Sequence, residues 1–122
     1  MSELSGAAQF VELLLFEVGD AVYAADATQV RRIDRMATGA AAASALGPLR
    51  EGKRALVFSG PQGETSLAVD RVRGVRRAAV GDLRRRPGPA AGDSCAIGFW
   101  LDAGNPVVLI DLARTLHSHG RQ

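Results

Sequence analysis

The chain has 122 residues, enough for one domain of ordinary size around one modest core. A composition that is 47% hydrophobic and 23% charged excludes a disordered chain, and aromatics at only 5% leave the core to Val, Leu and Ile. The net charge of +2 hides a segregation: residues 1–26 hold five acids and no base, 27–60 six bases against two acids, and 61–92 seven arginines against three acids. Fourteen of the fifteen basic residues are arginine, which suits planar, bidentate contacts; a coding preference for Arg and Ala explains the bias as well. No apolar run is long enough for a membrane-spanning helix, since "VELLLFEV" is broken by glutamates, and "MSELSGAAQF" has neither the basic flank nor the apolar centre of a signal peptide. Cys95 stands alone, so no internal disulfide forms and a reducing compartment is expected. The expectation is a soluble intracellular protein with no direct membrane insertion.

In chain order, "VELLLFEVGDAVYAAD" alternates, with Leu13, Leu15 and Glu17 on one face and Leu14, Phe16 and Val18 on the other. "GD" at 19–20 is a two-residue turn and "AVYAA" the returning strand of a β-hairpin. Next, "DATQVRRIDRM" predicts a short helix capped by Asp26, with Val30 and Ile33 on one side at spacing three. Residues 37–53 mix Ala, Gly, Ser and one Pro without period and predict a loop or a weak helical turn. "ALVFSG" and "TSLAVDRV" predict a second hairpin joined by "PQGE". "VRRAAVGDLRRRPGPAAGDS" starts extended and dissolves into a Pro/Gly-rich loop. "AIGFWLDAGNPVVLIDLARTL" reads as strand, tight turn, strand, then a short helix begun by Asp111. Residues 1–9 and 117–122 are expected to be flexible ends of one domain spanning 1–122. Short-turned hairpins with one or two short helices indicate a mostly β fold, a small barrel or sandwich.

Nothing converges on catalysis. The glycines are scattered, and none opens a helix after a strand as a phosphate-cradling loop must. His117 and His119 sit two apart in the tail with no second ligand cluster, so solvent exposure explains them and no metal is expected. Cys95 reads as a buried, inert thiol. Ser59, Ser66 and Ser94 lie in no histidine-bearing motif, and Asp70, Asp102 and Asp111 sit at turns or element ends where capping accounts for them. No catalytic residue, cofactor-binding residue or cofactor is expected. For nucleic acid, seven arginines between 71 and 86 make a positive stripe, but no stacking aromatic lies between residues 59 and 98. A basic β-barrel that binds nucleic acid non-specifically stays open as the alternative.

The ordered set "LLLFEVGDAVYAADATQVRRI", "TSLAVDRVRGV" and "FWLDAGNPVVLIDLARTL" resembles the CheW-like domain of chemotaxis signalling over roughly two-thirds of the chain. The small CheW-like protein of Frz-type systems is the kind it suggests. That resemblance implies two small side-by-side β-barrels, no enzymatic activity, and a cytoplasmic adaptor or scaffold in chemoreceptor arrays. Its partners would be the cytoplasmic domain of a methyl-accepting chemoreceptor and, as weaker expectations, a histidine kinase regulatory domain or another CheW-like protein. Carried over by position, the receptor-binding groove would take Leu14, Ala27, Val30, Thr65 and Val72, with plain core packing the alternative for each. Arg31, Arg71 and Arg73 would form a basic rim able to steer an acidic receptor tip. Two departures stand out. The family's Asn-Leu-Arg-Gly turn and Pro-Val-Val-Asp-Leu strand are reduced here to "AAAASALGPLREGKR", which implies weakened kinase coupling. Arg32 also occupies a first-helix position where the family often has an acid.

Overall fold

Four buried residues in succession, Leu13 to Phe16, set the architecture, because a strand buried on both faces must lie between two cores. The computed structural model describes residues 9–35, 43–44, 46–60, 63–85 and 96–112. Strands β1 (Phe10–Val18) and β2 (Ala21–Asp26) form the expected hairpin, paired from Leu13↔Asp26 to Val18↔Ala21. Gly19 takes φ +60, the left-handed conformation that lets a two-residue loop follow the twist of the strands. The remaining strands are β3 (Val30–Arg35), β4 (Ala43–Ser44), β5 (Gly47–Pro48), β6 (Arg54–Gly60), β7 (Gly63–Val69), β8 (Arg71–Ala79), β9 (Arg84–Arg85), β10 (Ala96–Asp102) and β11 (Asn105–Ile110).

A large sheet runs β8-β1-β2-β11-β10-β9, a small one β3-β6-β7, and β4 pairs only with β5. Every pairing is antiparallel except β11 with β2. One face of the large sheet gathers Leu13, Leu15, Ala24, Ala78, Trp100, Val107 and Leu109 into a core of its own. The opposite face sends Leu14, Phe16, Val18, Ala25 and Ile110 against Leu56, Phe58, Leu67 and Val69 of the small sheet. The predicted mostly β, two-unit fold is therefore present, the second unit showing, among the described residues, three full strands and the two-residue pair β4 and β5. Neither sheet is closed by hydrogen bonds among the described residues.

Two expectations need correction. Asp26 caps not a helix but a single 3-10 turn, Ala27–Gln29, accepting from the Thr28 N–H at 2.9 Å and its hydroxyl at 2.7 Å; strand β3 follows at once. The helical spacing of Val30 and Ile33 arises from a β-bulge: Val30 pairs with Phe58 and Arg32 with Val57, so Arg31 is the extra residue and Val30 and Ile33 share a face. Arg32 accordingly lies on a strand, where it pairs with Asp34 and Glu64 at 3.1 Å each. The other correction concerns "TSLAVDRV", expected as one strand. It is broken at Asp70, where the chain leaves the small sheet and enters the large one. The expected helix after Asp111, the loop bearing Cys95 and both termini lie outside the described residues, apart from Gln9 and from Leu112, which is fully buried.

Asp70 is more than a turn residue. Its carboxylate accepts backbone N–H bonds from Gly19 at 2.7 Å, Arg50 at 3.0 Å, Glu51 at 2.6 Å and Gly52 at 2.8 Å. Burial, the largest single influence, pushes its pKa up, but the four donors together outweigh it and hold the carboxyl down at about 2. A carboxyl lowered from about 3.9 in the unfolded chain stabilises the fold above that pH. The contribution is lost as pH falls from about 4 towards 2. The Asp70→Asn variant is expected to be less stable at pH 7 by about 1–2 kcal/mol, allowing for solvent at the partly exposed carboxylate. Urea unfolding at stepped pH should show that gap closing towards pH 2; an equal gap at both ends would refute the role of the charge.

Candidate functional site

The β3 bulge has a counterpart on β8. Leu15 pairs with Gly74 and Phe16 with Val72, so Arg73 is the extra residue, and Gly74 takes φ +128 to allow it. Val72 and Val75, three apart in sequence, thereby turn to the same face, opposite Phe16 and Leu14. "VRRI" and "VRGV" use one device: the bulge brings two apolar side chains three apart in sequence to one face of the strand, the first packed against the shared core and the second exposed, and makes an arginine the extra residue.

Four of the five groove residues gather at this junction. Leu14 belongs to the shared core with 4% of its surface exposed, while Ala27, Val30 and Val72 pack against that core from its margin. Thr65, half-buried on β7, lies in register with Phe58, and Phe58 with Val30, so the three form a rung across the small sheet. Leu14 is too deeply enclosed to offer more than the floor of a contact. Val75, its partner in register, is 54% exposed and supplies the accessible apolar surface. On the other side of the junction, Thr28, Gln29, Arg31, Phe58, Ser59 and Leu112 line an open depression of about 250 Å³. Val75, Phe58 and Leu112 were not foreseen as site residues; for Val75 the available signal was the Val-x-Gly-Val spacing that a glycine-assisted bulge produces.

The rim is less positive than its sequence. Arg31 donates to the Ser59 hydroxyl at 3.0 Å and pairs with Glu64 at 3.3 Å. Arg73 pairs with Glu17 at 2.6 Å, Arg76 with Asp102 at 2.8 Å, and the Arg77 guanidinium lies 4.6 Å from the centre of the Phe10 ring. Because β1 pairs with β8, the acidic first block of the chain lies directly against the basic third block. Arg71, exposed and in register with Glu17, completes the rim. Among the described residues no group of three or more His, Cys, Asp or Glu is placed to hold a metal, and no helix is long and apolar enough to cross a membrane.

No family model matches the chain. It is 42% identical over 111 residues to the frizzy aggregation protein FrzB of Myxococcus xanthus, an alignment covering 91% of this chain and 99% of that protein. Among solved structures, the scaffolding protein TtCheW of Thermoanaerobacter tengcongensis matches with a TM-score of 0.70 at 14% identity, over 93% of this chain and 97% of the other. That likeness speaks to the fold.

The contrast between neighbours in register gives a direct check. Val75→Glu places a charge in solvent and should leave the melting temperature within about 2–3 °C of the parent. Leu14→Glu buries an unpaired carboxylate and should cost about 3 kcal/mol or more, abolishing a cooperative transition. Thermal unfolding followed by circular dichroism distinguishes them, and equal losses would mean that Val75 is part of the core.

Proposed function

This chain belongs to the CheW-like family, as a relative of the frizzy aggregation protein FrzB, and we propose that it is a non-catalytic, cytoplasmic adaptor that docks the signalling tip of a chemoreceptor at the junction of its two sheets. The observation that carries this reading is the exposed Val75 directly beside buried Leu14, with Ala27, Val30 and Val72 packed on the same cluster. Such a surface accepts the apolar stripe of a helical hairpin, burying side chains spaced three and four apart. Thr65 and the depression around Phe58 extend it on the small-sheet side.

Electrostatic steering in this proposal falls mainly to Arg71, since Arg31 and Arg73 are already held by Glu64 and Glu17. The small sheet bears on the kinase. Among the described residues it has three strands, with the separate two-residue pair β4 and β5 besides, and this offers little surface for a histidine kinase regulatory domain, so kinase coupling is weakened. Nothing in the arrangement favours the nucleic-acid alternative, because Arg73, Arg76 and Arg77 are engaged by Glu17, Asp102 and Phe10.

Binding of the purified chain to a chemoreceptor signalling hairpin and, separately, to a kinase regulatory domain tests the proposal by isothermal titration calorimetry. Hairpin binding should weaken at least tenfold, about 1.4 kcal/mol, in Val75→Glu, and kinase binding should be the weaker of the two. Tight kinase binding with no hairpin binding would overturn it.

A further inference from the structure

Strand β10 buries Gly98 and Trp100 but turns Ile97, Phe99 and Leu101 outward, 38%, 43% and 57% exposed. Phe99 and Leu101 share one face about 7 Å apart at the usual rise of a strand, and Ile97, the extra residue of a bulge between Ala96 and Gly98, adds exposed apolar surface at the start of this stripe. The small sheet does not reach it. A single rung crosses the whole large sheet as Val72, Phe16, Tyr23, Val108, Phe99 and Arg84. Its first four members lie in or against the shared core, and Phe99 and Arg84 lie beyond it. Exposed Pro106, in register with Leu101, widens the stripe on the β11 side.

The other side of the stripe is basic. Strand β9 is Arg84 and Arg85, both exposed, with Asp82 the one acid in the turn before them. Arg84, in register with Phe99, shares the face of the stripe, whereas Arg85, in register with Gly98, points to the other face. Gly98 is what brings β9 so close, since a Cβ there would collide with the carbonyl oxygen of Arg84. Asp102, the acid at the end of β10, is turned away from the stripe and engaged by Arg76.

We propose that the outer face of β10 is a second docking surface, for an amphipathic helix with acidic residues along one flank. Apolar side chains at i and i+4, about 6 Å apart along a helix axis, match Phe99 and Leu101, a third one turn away reaches towards Ile97, and the acidic flank meets Arg84. A second copy of the chain fits worse. The stripe is far smaller than the roughly 1,000 Å² that a stable dimer needs, and it would bring the arginines of both copies together. This surface is separate from the junction that holds Val75, so the two proposals fail independently.

Fluorescence anisotropy of the full chain with a labelled 18-residue helical peptide, leucines on one face and glutamates along one flank, tests it. The control peptide carries lysines in place of the glutamates. The glutamate peptide should bind at least tenfold tighter than the lysine peptide, Leu101→Ser and Phe99→Ser should each weaken it severalfold or more, Arg84→Glu should reverse the preference, and Val75→Glu should change nothing. Should Phe99→Ser disturb folding, the more exposed Leu101 decides. Equal binding of both peptides, binding that survives Leu101→Ser, or a Leu101-dependent dimer or anionic-vesicle association in place of peptide binding would each overturn it.

Discussion

Everything in this molecule hangs on β1 being buried on both faces. Leu13 and Leu15 serve one core, Leu14 and Phe16 the other, and a slip of one residue in pairing would exchange the two sets. The exchange cannot be tolerated, because the two cores want different volumes. Trp100 and Ala78 complete one, whereas Phe58, Leu56 and stacked Tyr23, whose ring lies 5.9 Å from that of Phe16, complete the other. Register, the position of the junction and the exposure of Val75 opposite Leu14 therefore follow from one strand.

A small chain with few aromatics is served well by that economy. Each side chain from Leu13 to Phe16 contributes to a closely packed interior, so one apolar segment organises both sheets. The junction is also where the two sheets leave apolar surface uncovered, which is why the floor of the candidate site is core and its accessible part is margin. Function, on this reading, uses the edge of the packing that holds the fold together.

How much of this was legible in the sequence depended on whether a signal was local. The Gly19–Asp20 hairpin and the β10–β11 pair were readable because turn chemistry and alternation sit within a few residues. The mistaken helix over 26–36 came from Val30 and Ile33, whose spacing of three is helical on paper and bulged in the sheet. The same ambiguity hid Val75, since "VRGV" does not say whether its two valines share a face. Four of the proposed groove positions were brought together, yet the burial of Leu14 depends on the whole of the second core and has no sequence signature. Charge behaved likewise. The arginines after residue 70 look like a patch in one dimension, and only the pairing of β1 with β8 and the approach of Asp102 show Arg73 and Arg76 answered by acids.

Asp70 carries a consequence for the order of assembly. The amides it gathers lie 51, 20, 19 and 18 residues away in sequence, and the one from Gly19 exists in the right place only once the first hairpin has turned. Such a contact joins after local structure has formed, since the loops it closes are long and each must be drawn in before the carboxylate gains its donors. It is a latch fitted to a nearly finished frame. A group of that kind leaves the folding rate almost untouched and acts on the rate of opening, so Asp70 governs how long the two sheets stay joined more than how fast they meet.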